Sequence, residues 1–228
     1  MRAIQSRRTA LPLGRASRLV FAATVGRETL EARPAGLALL RMALGAGSIA
    51  LFDDGTLTGR DRVRLARECG DPLILPAAAS GPAGFPAGPD WALLLAALEQ
   101  RRNAYWVAIG DTSPEHAIPE LARAIASNRS FATVGDGTVP EALAPHLEPL
   151  AREAFSYLGV SGGLLGFAAC GDGLALTSAI LTRLEAALGE RARQPDMARI
   201  VAGFVFARER EPVLMRDKPG VVHSPGRI

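Results

Sequence analysis

Lysine is nearly absent from this chain: Lys218 is its one lysine among 26 basic residues, and the rest are arginine. No G-x-x-x-x-G-K-[ST] run exists, which excludes a P-loop. A Schiff-base lysine would have to be Lys218, in a Pro/Gly-rich tail. Cysteine is scarce too. Cys69 and Cys170 form neither a disulfide framework nor a metal-ligand spacing, and both read as small apolar residues of a reducing compartment. The three histidines, His116, His146 and His223, make no H-x-x-x-H or H-E-x-x-H pattern. Aromatics are 5%, too few for a base-stacking surface. No stretch of about 18 apolar residues runs free of charge, so no membrane span is expected.

The net charge of +3 has a local origin. Arg2, Arg7, Arg8, Arg15 and Arg18 crowd the first 18 residues without an acid, and the remaining body is mildly acidic. A nucleic-acid binder would carry its basic residues on a folded face, so no nucleic-acid partner is expected. Ser6-Arg7-Arg8 faintly matches a twin-arginine export signal, but Arg15 and Arg18 interrupt the apolar stretch such a signal needs. A cytoplasmic location is the expectation.

What the chain does have is apolar material: 48% hydrophobic residues and a mean hydropathy of +0.15. With 228 residues, that suits one domain with a sizeable core. The pattern predicts a flexible basic tail over 1–16, an α/β domain over 17–210 and a second tail over 211–228.

Short apolar runs predict strands at 19–23, 48–52, 73–75, 104–109 and 130–134. The run 164–170 reads as a strand or a buried helix, and 200–207 as a last strand. Helices are predicted between them. One spans 35–44, one runs from a Thr58 cap to Cys69 with Gly70 as terminator, and one follows an Asp90 cap over 91–101. Further helices follow Pro119 and cover 174–188, and a stretch over 140–158 is expected to break at Pro145 and Pro149. The loop 79–90, dense in glycine and proline, has only Phe85 as an anchor.

Strands alternating with helices of this length predict a mostly parallel, doubly wound, Rossmann-like sheet with helices on both faces. An α+β arrangement is the alternative. Eight βα units for a barrel are not found.

Four predicted strands end in an aspartate turn: Asp53-Asp54-Gly55, Gly110-Asp111-Thr112, Gly135-Asp136-Gly137 and Gly171-Asp172-Gly173. In an open α/β sheet, ligands bind outside the carboxyl ends of the strands. On that expectation Asp53, Asp54 and His116 are candidates for catalytic work. Asp111, Asp136 and Asp172 are candidates to hold Mg²⁺ through carboxylate oxygens. Gly55, Thr56, Gly110, Thr112, Gly135, Gly137, Thr138, Gly171 and Gly173 would offer N–H groups and hydroxyls to an anion. The structural alternative is that aspartate caps helices and glycine makes turns, with no ligand at all. Arg27, Glu28 and Arg33 follow the first strand and read as solvated charges, with anion contact as the alternative. Gly159-Val-Ser161-Gly-Gly163 fits G-x-S-x-G, although a nucleophile elbow needs a strand before the serine and a helix after it.

The run Leu51-Phe-Asp-Asp-Gly-Thr-Leu-Thr58 resembles the first motif of haloacid dehalogenase-like phosphohydrolases, an apolar strand ending in Asp-x-Asp-Gly-Thr. The resemblance implies Asp53 as nucleophile, Asp54 as acid/base and Asp136 or Asp172 as an Mg²⁺ ligand. The two aspartates here are adjacent, however, and adjacent strand residues point to opposite faces. The family's phosphate-contacting lysine has no lysine to match it here, with an arginine as the alternative.

The expected function is therefore an enzyme acting on a small anionic, phosphorylated molecule by Mg²⁺-assisted hydrolysis. A non-catalytic ligand-binding or structural subunit is the alternative, with self-association into a homo-oligomer allowed for.

Overall fold

The inner strands are apolar runs buried on both sides and the two edge strands are half-buried; among the described residues they join into a seven-stranded sheet of order β3-β2-β1-β4-β6-β5-β7. The computed structural model describes residues 19–76, 84–101, 103–110, 115–135, 143–152, 158–168, 173–209 and 211–216. The strands are β1 (Leu19–Val25), β2 (Ser48–Asp53), β3 (Leu73–Pro76), β4 (Tyr105–Ile109), β5 (Phe131–Val134), β6 (Val160–Phe167) and β7 (Val213–Arg216). The helices are α1 (Ala32–Leu44), α2 (Gly59–Cys69), α3 (Pro89–Gln100), α4 (Ile118–Ala126), α5 (Ala144–Arg152), α6 (Gly173–Leu188) and α7 (Met197–Arg208).

β1 pairs in parallel with β2 and β4, β2 with β3, and β5 with β7. β6 alone runs antiparallel, between β4 and β5. Alternate residues face opposite sides. Val20, Ala22, Phe52, Trp106 and Phe167 pack with α3, α6 and α7 on one face. Phe21, Ala23, Leu51, Val107 and Ile109 pack with α1, α2 and α4 on the other. This is the mostly parallel α/β sheet with helices on both faces that the alternating pattern predicts.

Three expectations need correction. Residues 200–207 are not a strand; they belong to α7, which is buried from Met197 to Phe206 except at the half-buried Arg199. A helix enclosed by the sheet, α3 and α6 is apolar all round, so it shows no helical period in sequence. The 211–228 segment is not wholly a tail, because residues 213–216 form β7 against β5. α5 runs unbroken through Pro145 and Pro149. Pro145 falls in its first turn, where a missing N–H leaves no helical bond unmade. Residues 164–167 of the ambiguous run at 164–170 belong to strand β6, and residues 169–170 and the 1–16 tail lie outside the described residues. Among the described residues no helix is long and apolar enough to cross a membrane.

The reversed β6 decides which turns share a rim. The carboxyl ends of β1 to β5 lie at one edge, together with the beginning of β6, since Ile109 near the end of β4 pairs with Leu164 and Trp106 with Phe167. β6 therefore ends at the opposite edge, where α6 begins.

Candidate functional site

The predicted aspartate pair is tied up in its own turn. Asp53 is 1% exposed. Its Oδ1 accepts from the Gly55 N–H at 2.8 Å, and its Oδ2 pairs with the Arg62 guanidinium at 2.5 Å. Asp54 is exposed and accepts from the Thr56 N–H at 2.8 Å and the Thr56 hydroxyl at 2.7 Å. Its carboxylate lies over Gly26, where an added Cβ would fall 1.8 Å from Asp54 Oδ2. The Arg27 N–H then donates to Thr56 Oγ1 at 2.9 Å. These bonds stitch the ends of β1 and β2 together. The two carboxylates do not converge on a common point, so the nucleophile and acid/base pairing implied by the phosphohydrolase resemblance fails on geometry.

The same loop opens α2 with a reciprocal cap. Thr58 donates from its N–H and hydroxyl to Asp61 Oδ2 at 2.8 and 2.6 Å, and the Asp61 N–H donates back to Thr58 Oγ1. The Thr58 hydroxyl and then its N–H hold the Asp61 carboxyl below its ordinary value, with Arg27 3.8 Å away adding to the effect. A carboxyl lowered in the folded state adds stability above its unfolded pKa, and that stability is lost as pH falls through the folded value. In Thr58→Ala, the Asp61 carboxyl is expected to titrate at higher pH by NMR. An unchanged titration would mean the cap does not set it.

The predicted anion-binding glycines divide. The Gly110 N–H donates to the Gly163 carbonyl at 2.7 Å, and the Gly135 N–H to the Gly159 carbonyl at 2.9 Å. Both donors are consumed in joining β6 to its neighbours. Gly55 (φ 94°) has its N–H on Asp53, and Thr56 is bound to Asp54. Gly173 opens α6 at the opposite edge, away from the shared rim. A Cβ there would lie 2.7 Å from Leu98 and 2.9 Å from the Arg101 guanidinium, so this glycine serves close helix packing. His116 is exposed in the short 3-10 turn Glu115–Ala117. Asp111, Thr112, Asp136, Gly137, Thr138, Gly171 and Asp172 lie outside the described residues.

A different site forms where the strand order reverses. β2 and β3 extend the sheet on one side of β1, and β4, β6, β5 and β7 on the other. The crevice between β1 and β4 is thus the topological switch point. A cleft lies there, lined by Thr24 of β1, Ala108 to Gly110, Ser161, Gly163, Leu165 and Phe167 around β6, and Arg33, Asp90, Leu93, Leu94, Ala198, Arg199 and Ala202 from helices. Its volume is about 60 Å³ and it is open to solvent on one side, so any ligand would lie partly outside it.

The electrostatics of this cleft follow from topology. α1 follows β1, α3 follows β3, and α7 precedes the parallel β7, so all three helices begin at this rim. Arg33 and Asp90 are the second residues of α1 and α3, and Arg199 is the third of α7. Helix N-termini carry partial positive charge, and three of them here surround two guanidiniums. Arg33 is 5% exposed, so it is not the solvated charge expected of it. Ser161 is no nucleophile elbow, because it sits inside β6 rather than at a strand-to-helix turn. Its hydroxyl donates to Thr133 Oγ1 at 3.0 Å and accepts from the Gly163 N–H at 3.3 Å. Asp90 was legible only as a helix cap, but the cap is Gly88 and Asp90 lies inside the first turn of α3; Arg199 was hidden in the stretch expected to be a strand. Among the described residues no group of three or more His, Cys, Asp or Glu side chains could hold a metal ion.

No protein-family model matches the chain, and no curated protein sequence matches it. Solved structures do. One is galactosyltransferase LgtC in complex with donor and acceptor sugar analogs, at 12% identity and a TM-score of 0.47, covering 81% of this chain and 71% of that one. Another is core-mannan synthase A of Aspergillus fumigatus in a Mn/GDP form, at 15% identity and a TM-score of 0.45, covering 88% and 72%. The expectation of a hydrolase is corrected on geometry: Asp53 and Asp54 are each bound within their own turn and form no nucleophile and acid/base pair.

Proposed function

We propose that the chain binds a small phosphorylated donor in the β1/β4 cleft and takes part in group transfer from it, with nucleotide sugars as the donor class. The observation that carries this reading is the meeting of three helix N-termini with Arg33 and Arg199 on one crevice. That end of the cleft suits one phosphate of a diphosphate, with the rest of the ligand reaching outward. The other lining groups suit a sugar: the Thr24 and Ser161 hydroxyls and the Asp90 carboxylate can meet ligand hydroxyls, and Leu93, Leu94 and Phe167 supply apolar wall. LgtC was solved with donor and acceptor sugar analogs, and the mannan synthase with manganese and GDP.

A divalent ion fits this cleft only in part. Asp90 is the one described carboxylate lining it. Such an ion would rest on Asp90 and on the donor's own phosphate oxygens, where it would neutralise charge on the leaving group.

The test is thermal melting of the full chain with UDP- and GDP-sugars, with and without Mn²⁺, followed by assay for released nucleoside diphosphate. Ligand at 100 times its Kd is expected to add about 2.7 kcal/mol, which raises the midpoint of a chain this size by roughly 5–10 °C. A flat midpoint across the panel at millimolar ligand would sink the proposal. Binding without release of diphosphate would leave a ligand-binding domain and remove the transfer step.

A further inference from the structure

The two helices that carry Asp90 and Arg199 are joined by one side chain. Trp91, in the first turn of α3, is 0% exposed. Its indole N–H donates to the Gln194 carbonyl at 3.1 Å. Gln194 closes the 3-10 turn Gly189–Arg193 that leads into α7. Alongside, Pro195 Cγ comes within 4.0 Å of the position a Cβ would take on Gly88, the N-cap of α3. Gly88 has φ 122°, a conformation that favours glycine. The starts of α3 and α7 therefore meet at a junction made by Trp91, Gly88, Gln194 and Pro195.

Trp91 itself does not line the cleft. Asp90, Leu93 and Leu94 ride on one of the joined helices, and Ala198, Arg199 and Ala202 on the other. We propose that Trp91 is a positioning residue: by bonding the start of α7 to α3 it fixes the separation of Asp90 from Arg199, and so the width available to the ligand. This rests on the cleft being the binding site. Indole suits the task because it joins a large rigid body to a single directed N–H donor. With the indole N–H removed, the Gln194 carbonyl still accepts from the Met197 N–H at 3.0 Å, so what is lost is the bond between the two helix starts, and α7 with Arg199 is free to shift against α3.

Pyrophosphate is the probe, titrated into the full chain by calorimetry. Trp91→Phe keeps most of the ring volume and removes the donor. It is expected to bind pyrophosphate about tenfold more weakly than the unaltered chain, through displacement of Arg199. Leu98→Ala opens a cavity in the same helix, away from the junction; it is expected to lower Tm while leaving affinity within about twofold. Equal affinity of Trp91→Phe and the unaltered chain overturns the clamp, and so does an equal loss in both variants.

A second measurement keeps the clamp whole in case Trp91→Phe does not fold. The chain has two tryptophans, so Trp106→Phe leaves Trp91 as the sole indole. Its emission is expected to keep the position of a buried, hydrogen-bonded indole on saturation with pyrophosphate, and a red shift, reporting a junction that opens as ligand binds, counts against the proposal. The two readings fail separately. If the unaltered chain ignores pyrophosphate, the cleft assignment falls. If it binds, and Arg199→Ala weakens binding while Trp91→Phe does not, only the clamp falls.

Discussion

Arg199→Ala is expected to weaken pyrophosphate or nucleoside-diphosphate binding about tenfold to a hundredfold. That corresponds to the roughly 1.5–3 kcal/mol of one hydrogen bond to a charged group. The effect should fall mainly on the ligand. Arg199 is half-buried at the first turn of α7, while the helix is held by its apolar side chains from Met197 to Phe206. Arg199→Lys should recover only part of the loss, since an ammonium replaces a planar fork by a point charge. Added salt should narrow the gap between the unaltered chain and Arg199→Ala, because a partly exposed cation is screened. Calorimetric titration at two ionic strengths reads all three effects. An Arg199→Ala chain that binds as tightly as the unaltered one would remove the cationic end of the cleft.

The second large effect is on stability. Asp53→Ala is expected to cost about 2–3 kcal/mol, below the 3–5 kcal/mol typical of breaking a fully buried pair. The discount arises because the Arg62 side chain is 47% exposed and is solvated when its partner goes. The midpoint should fall by roughly 5–10 °C. Asp53→Asn keeps an oxygen for the Gly55 N–H but turns an NH2 donor toward the Arg62 guanidinium, losing both the charge and that acceptor, so its loss should be only a little smaller. Neither change should alter affinity at the β1/β4 cleft, which Asp53 does not line. Differential scanning calorimetry with a parallel binding titration checks both points. Full stability in Asp53→Ala, or lost binding in Asp53→Asn, would show that this carboxylate serves the ligand and not the turn.

This contrast explains why the aspartate turns were misleading. Asp-Asp-Gly-Thr at the end of an apolar strand reads alike whether its carboxylates face a ligand or close a turn. Here Asp53 binds Gly55 and Arg62, and Asp54 binds Thr56. The glycines after β4 and β5 read as N–H donors toward an anion, yet both donors go to carbonyls at the start of β6. No local pattern announces that pairing, because β6 crosses back antiparallel from a distant part of the chain.

The sequence by itself determined the layers. Apolar runs such as Leu51-Phe52 and Tyr105 to Ile109, punctuated by capped helices, can bury both faces only as a sheet covered on each side. That is a matter of local period and composition, which a chain carries wherever it folds. Only the tertiary structure decided the site. Arg33 was visible as one charge after β1 and Arg199 not at all, since an apolar helix enclosed on every side has lost the period that marks a helix. The two arginines, with Asp90, share a cleft because strand order sets β1 beside β4 and starts three helices at one rim. Strand order depends on contacts between residues far apart in the chain, and no short stretch of sequence encodes them.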